Sequence, residues 1–343
     1  MNKYLTTNAK DVLKHKVGII IPVYFPLGID ESEAADLLRD TAYSYVDLLD
    51  DPRNVCLSVD GVEHGLDIAT CISKECGARL VSSKKNRGKL GGVRKGVQAL
   101  WNDEKLTYFV EVDSDGDHFA NELLNLIRAA INVQDRCKDD VLVIGSRTSK
   151  HRPMGFLRGE LEELADRVLL DALYYYAALS GQPLSLEYAT PIEEFPDFHS
   201  GFKLFSRGAA QAAFLEEPRL CGVDEDAYFR HGCEAVMTVE PLLSAARLVL
   251  VNRSTFNEQP VTTFGLLNRE RMIADKIIWP CKRMQIPATF VDQWLTNHCA
   301  RLILNTLVPQ GKLELLQIRS LVLNAFGIED ADTETMNWGP LFV

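Results

Sequence analysis

The chain has 343 residues, 46% hydrophobic and 25% charged, enough apolar material for a large buried core. Lys and Arg number 37 against 48 Asp and Glu, and the net charge of −11 argues against gripping nucleic acid or an anionic membrane by charge alone. The N-terminal MNKYLTTNAKDVLKHK lacks the apolar core of a secretory leader, no stretch approaches the roughly 20 apolar residues of a membrane helix, and the 8 cysteines are scattered, so a reduced, soluble, cytoplasmic protein is expected.

After an N-terminal extension (1–16), the first half alternates short β-rich runs with amphipathic stretches. VGIIIPVY (17–24) reads as a buried strand, followed by a helix around 31–50. VCLSVDG (55–61) is a second strand, and LDIATCISKEC (66–76) returns as helix. ARLVSS (78–83) is a third strand, with a helix from Gly88 to about Trp101. TYFVEVD (107–113) runs into an acidic cluster, then come a helix at 119–132 and a fifth strand, VLVIGSR (141–147). Strands separated by helices of this length predict βαβ units and a mostly parallel sheet covered on both faces, with ligands bound beyond the C-terminal strand ends. A long helix (157–181) and a loop (182–198) follow, and then FKLF, VMTVE and LVLVN are expected to extend the sheet as a mixed edge. Beyond about 265 the apolar residues fall at helical spacing, which predicts a helical appendage over 261–343 behind a catalytic domain at 17–260. Trp279, Trp294 and Trp338 are expected to pack that appendage, or to line an apolar acceptor site or a homo-oligomer interface through the C-terminal helices.

Four segments could carry chemistry. Asp113-Ser114-Asp115-Gly116-Asp117 places three carboxylates at alternate positions after a strand, an oxygen density suited to Mg2+ or Mn2+ completed by substrate phosphates; a solvated acidic turn is the plainer alternative. NRGKLGGVRKG (86–96) combines bare glycine backbone with Lys89, Arg94 and Lys95 near a helix start, which suits an anion, or equally a basic solvated turn. PDFHSGFKLFSRGA (196–209) sets Ser200-Gly201 before an alternating strand. GVDEDAYFRHG (222–232) sets Asp224, Glu225 and Asp226 at a helix start, where they would cap the helix or serve as a general base. His118 reads better as a helix-capping residue than as a metal neighbour, and His199 and His231 as structural.

In order and approximate spacing over residues 17–240, these segments resemble the inverting glycosyltransferases of the GT-A fold, and within them the dolichyl- and polyprenyl-phosphate sugar synthases. IIIPVY is similar to the first-strand motif of that class, SVDGVEHG to its acidic turn, and NRGKLGGVRKG to its N-x-G-K-G-x-A-x-x-x-G segment. VDSDGDH resembles the D-x-D metal motif, IGSR the G-S-R segment, DFHSGFKLFSR the D-x-x-S-G-F-[KR] segment, and GVDEDAYFRHG the E-D base motif. The chain departs from the pattern at Phe25-Pro26, where the class often has Asn-Glu, and at Asp60, one acid where it has two.

The resemblance implies a UDP- or GDP-linked sugar donor and an acceptor it does not identify. Pro22 and Tyr24 would flank the base or ribose, Asp60 would hydrogen-bond the base, and Lys89, Ser114 and Arg147 would face the diphosphate or sugar. Asp113, Asp115 and Asp117 would hold the metal, and Asp226, with Glu225 next to it, would be the base. Two rival functions remain: a nucleotidyltransferase, which would be expected to carry G-x-G-[ST]-R-x-x-P-x-x-K after its first strand where this chain has IIIPVYFPLGID, and a non-catalytic nucleotide-sugar sensor.

Overall fold

The computed structural model describes residues 6–189, 195–255 and 268–328. Helix α1 (Thr6–Lys16) leads directly into β1 (Val17–Val23), then α2 (Glu31–Val46), β2 (Val55–Asp60), α3 (Leu66–Cys76), β3 (Arg79–Ser83), α4 (Lys89–Leu100) and β4 (Tyr108–Glu111). Next come α5 (Leu123–Cys137), β5 (Val141–Arg147), the single turn α6 (His151–Met154) and the long α7 (Phe156–Ser180). Strand β6 (Lys203–Ser206), a short α8 (Arg207–Ala210), α9 (Cys233–Leu243) and β7 (Arg247–Arg253) complete the α/β part. Helices α10 (Arg269–Arg283), α11 (Ala288–Cys299), α12 (Leu304–Leu307) and α13 (Gly311–Ala325) follow.

The seven strands form one sheet in the order β3-β2-β1-β4-β6-β5-β7. It is the mostly parallel, helix-flanked α/β sheet expected from the alternation. The first βα units build its left half, where β1 pairs in parallel with β2 and β4. The side chains of β1 show why: they alternate between two apolar layers, Ile20 on one face and Ile19 and Ile21 on the other. One face is covered by α4, α7, α9 and α10, the other by α1, α2 and α5.

Two expectations need correction. The reversed strand is not an edge extension: β6 lies inside the sheet, antiparallel to both β4 and β5, and β7 pairs in parallel with β5 at the margin. VMTVE is helix rather than strand, being the middle of α9, and every residue from Cys233 to Leu242 is buried. An apolar run buried on all sides has no period to reveal its type. The 1–16 extension contains α1, which packs against α5. The boundary drawn at 260 and Trp338 lie outside the described residues. Trp279 is fully buried, and its indole N–H donates to the Arg219 carbonyl at 2.9 Å. No described helix is long and apolar enough to cross a membrane.

Candidate active site

A cavity of about 420 Å³ opens above the C-terminal ends of β1, β2, β4 and β5. The first half of the chain supplies Pro22, Tyr24, Asp60, Gly88, Lys89, the acidic loop and Arg147. The second half supplies Arg158 and Glu162 from α7, His199 and Gly201 before β6, Arg230 and His231 before α9, Glu234 from α9, and Arg253 at the end of β7. Met272 and Lys276 of α10 complete the wall, so the C-terminal helices help to line it.

Three of the four candidate segments meet at Gly201. A Cβ there would lie 2.6 Å from Asp113 Oδ2 and 3.0 Å from Lys89 Nζ, closer than packing allows. Gly201→Ala is therefore expected to push the Asp113 carboxylate off Lys89 and to lower the unfolding free energy by about 1–3 kcal/mol, the usual effect of overpacking, which urea unfolding checks. At the start of α4, Gly88 has φ +105°, and a Cβ would strike the Phe229 carbonyl oxygen at 2.7 Å. Only glycine keeps the loop that close to the segment before α9.

Lys89 stands at the centre of a buried ionic cluster. Its ammonium lies 2.7 Å from Asp113 Oδ1, 2.9 Å from Glu111 Oε1 and 2.7 Å from Glu234 Oε1. Lys203, whose side chain is wholly buried, reaches Glu234 from the other side. Glu111 and Lys203 face each other across the antiparallel pair of β4 and β6, so the register itself brings them together. Burial drives the Glu111 carboxyl well above its usual range against the pull of Lys89, and neither oxygen has an aligned hydrogen bond. Burial would also raise Asp113, but Lys89 and His118 outweigh it and hold that carboxyl well below its usual range.

The three aspartates are not equivalent. Asp113 and Asp115 line the cavity, and burial together with the neighbouring Asp113 charge pushes Asp115 from 3.8 up to about 7. Asp117 also borders the cavity, but its carboxylate is in a buried ion pair with Arg253 at 3.1 Å. Among the described residues the three do not form a group of metal-ligand atoms within 4.8 Å of one another; His151, Glu160 and Glu163 form one, as an ion-paired cluster on α6 and α7. Two cavity-lining carboxylates, one of them paired with Lys89, rather than a closed cage, suit a magnesium ion that takes most of its shell from water and phosphate. His118 accepts the Asp113 N–H through Nδ1 at 3.0 Å and stacks on Phe202, which leaves its proton on Nε2. Burial and the Arg253 charge depress its basicity well below the usual range.

The remaining expected residues divide. Pro22 and Ser114 line the cavity, as does Tyr24, whose ring lies 4.5 Å from that of His64. Asp60 lines it too, but its carboxylate is occupied by the Arg87 and Gly88 N–H groups, at 3.0 and 2.6 Å to the nearer oxygen of each, and so fixes the glycine-rich loop. Arg147 is held bidentately by Asp197 at 2.8 and 2.6 Å and by Glu162 at 2.9 Å. Its five donors are largely used by protein carboxylates. Glu225 and Asp226 do not line the cavity. Asp226 is 60% exposed and 3.3 Å from Arg230, whereas Asp224 caps the Ala227 N–H at 2.8 Å. A short π-helical stretch (Ala227–His231) then turns Arg230 and His231 inward.

Glu234, Arg253, Met272 and Lys276 were not anticipated. A glutamate inside the apolar run CEAVMTVE was the one available signal, since a carboxylate is rarely buried without a partner. The others reach the cavity from far along the chain, which no local pattern announces.

No protein-family model matches the chain, and no curated protein sequence matches it. Among solved structures, it is similar to the glucosyl-3-phosphoglycerate synthase of Mycobacterium tuberculosis in complex with Mg2+ and uridine diphosphate, with 17% identity and a TM-score of 0.48 over 83% of this chain and 85% of that one. It is similar as well to the S. aureus protein TarS, residues 1–349, at 14% identity and TM-score 0.37 over 91% and 89% of the two chains. A third likeness is to the 4-diphosphocytidyl-2C-methyl-D-erythritol synthase of Anaerococcus prevotii, at 13% identity and TM-score 0.38 over 78% and 97%.

Proposed function

We propose that this protein is a glycosyltransferase that moves a sugar from a UDP- or GDP-linked donor to an acceptor hydroxyl or phosphate, with inversion at the anomeric carbon. The observation that carries the reading is the meeting at Gly201 of the acidic loop, the Lys89 loop and the Ser200-Gly201 segment. Each alone is explained as well by an acidic turn, a basic turn or a strand start. Their convergence on one cavity at the C-terminal edge of a parallel sheet suits a phosphorylated ligand.

Asp113 and Asp115 would hold a divalent cation, Mg2+ or Mn2+, which would supply neutralisation of the leaving diphosphate. Lys89 keeps Asp113 ionised, and Gly88 and Gly201 let the backbone approach the ligand. Tyr24 and Pro22 would border the base or ribose. Arg147 acts through Asp197 and Glu162, by fixing the wall that carries them. Met272 and Lys276 would make the C-terminal helices part of the acceptor side, although the chain divides in sequence into 17–260 and 261–343.

Cation binding should compete with the proton on Asp115. Its folded value lies above the unfolded one, so the folded state takes up a proton between about pH 4 and 7, and the group's contribution to stability falls over that window as the pH rises. Above about pH 7 the ionised pair is destabilising until a cation joins it. The rise in melting temperature given by Mg2+ is therefore expected to grow from pH 6 to pH 8, as followed by thermal unfolding at fixed magnesium. A rise that is flat with pH would remove Asp115 from the cation site.

The functional test is product analysis. Incubation with a panel of nucleotide sugars should release nucleoside diphosphate, slowly to water when the acceptor is absent. Pyrophosphate formed from a nucleoside triphosphate and a sugar phosphate would identify a nucleotidyltransferase instead. Metal-dependent binding with no release from any donor would identify a sensor.

A further inference from the structure

The cavity wall holds a second polar device that the donor chemistry does not use. His199 is the residue before Ser200, and its imidazole is wholly buried, with Nδ1 2.6 Å from Asp166 Oδ1. The same carboxylate oxygen also accepts the His199 backbone N–H at 3.2 Å. Asp166 is itself fully buried on α7, and its other oxygen is taken by Lys150. An ionised carboxylate can only accept, so the imidazole proton sits on Nδ1 and Nε2 presents a lone pair. That Nε2 is buried and makes no hydrogen bond. An orphaned polar atom of this kind destabilises the fold, and native structures rarely leave one without a purpose. His199 lines the cavity, and Gly201, two residues further on, abuts Asp113.

A second aspartate–histidine pair borders the same cavity. His231 Nδ1 lies 2.6 Å from Asp275, which Arg271 shares much as Lys150 shares Asp166; the pairs differ in that Nε2 of His199, and not that of His231, is buried without a partner. The exposed Asp226 lies outside the lining. His199 is thus the imidazole at this cavity that a buried carboxylate fixes through Nδ1 and whose buried Nε2 lone pair is unspent.

We infer that His199, oriented by Asp166, is the general base that takes the proton from the acceptor hydroxyl. The inference rests on the transferase reading above. In the step, an acceptor oxygen lone pair forms the bond to the anomeric carbon, and the bond from that carbon to the diphosphate oxygen breaks, its electron pair leaving with the nucleoside diphosphate. The acceptor proton passes to His199 Nε2. The Asp166 carboxylate balances the imidazolium until the proton returns to solvent. Asp166 is the positioning residue, since it holds the tautomer and ring orientation without touching the acceptor.

The test compares the whole protein with His199→Asn, whose amide can still donate to Asp166 from the Nδ1 position but offers nothing at Nε2. UDP-glucose and GDP-mannose with Mg2+ are the probes, water taking the acceptor position, and nucleoside diphosphate release is measured. The expected result is a kcat about 100-fold lower or less, with KM for the sugar nucleotide and Kd for UDP unchanged. A second variant, His199→Gly, should regain part of its rate in added imidazole, a rescue that a structural role would not give. A His199→Asn enzyme with wild-type kcat, or one that loses UDP binding in step with kcat and is not rescued as His199→Gly, would overturn the assignment and leave the transferase reading standing. Wild-type protein that releases no nucleoside diphosphate from either probe would overturn both.

Discussion

Replacing Arg147 by methionine is expected to lower the unfolding free energy by about 3–5 kcal/mol, the usual effect of deleting one partner of a buried ion pair. The guanidinium is 6% exposed and Asp197 and Glu162 are 1–2% exposed, so water cannot take its place. Glu162 keeps Arg158 and Lys276 as partners at 3.2 and 3.4 Å. Asp197 keeps only Lys150 at 3.7 Å among its described ion pairs, and it is the group left most exposed to the loss. Burial would raise the Asp197 carboxyl, but the Arg147 charge holds it far below the usual range, so its contribution to stability is present above the unfolded value near pH 3.8 and lost as the pH falls towards the folded one. Removing both partners, as Arg147→Met with Asp197→Leu, should recover much of the loss, because no uncompensated charge remains. Urea unfolding monitored by circular dichroism gives both numbers. A loss below about 1 kcal/mol for the single variant would mean that the pair contributes no more than an exposed one.

The second large effect concerns the ligand rather than the fold. Asp115→Ala is expected to abolish magnesium-dependent UDP binding while leaving the melting temperature without metal equal or higher. The wild-type carboxylate is raised to about 7, a sign that ionising it beside Asp113 in the buried loop carries a cost. Deleting it relieves repulsion in the empty protein and removes a cation ligand from the bound one. Asp117→Ala differs in sign: it strips the buried Arg253 of its carboxylate partner and should lower stability. UDP titrations of the two variants with and without Mg2+ separate them. Unchanged magnesium-dependent binding in Asp115→Ala would take the acidic loop out of the site.

The sequence was most legible where local pattern and tertiary context agree. Strands β1, β2, β4 and β5 are buried apolar runs, β3 is a half-buried margin strand, and the helices between them carry an apolar stripe, so their order predicts the parallel half of the sheet. The insertion of β6 between β4 and β5 is a pairing choice made over 90 residues of chain, and FKLF says nothing of its neighbours. VMTVE misled because full burial erases the contrast that separates period 2 from period 3.6. Within the site, Asp113, Lys89 and Gly201 were legible as motifs and lie against one another, and Asp115 lines the same cavity. Asp60 and Arg147 were equally visible but are spent on the backbone of one loop and on Asp197, roles that depend on which groups fold beside them. Glu234 left one signal, a carboxylate in an apolar run, but its partner Lys203 lies 31 residues away, and Lys276 left none, its partner Glu162 lying 114 residues away.

The central claim is that Asp113 and Asp115 hold a divalent cation together with the diphosphate of the nucleotide. Two carboxylates alone should bind Mn2+ weakly, and UDP should tighten it. Paramagnetic resonance of free Mn2+, measured with and without UDP, and calorimetry of UDP, measured with and without Mn2+, give two coupling factors. Linkage requires them to be equal, and a shared site predicts at least about fivefold, the lower bound of common couplings. UDP binding of the same affinity with and without Mn2+ would contradict the account.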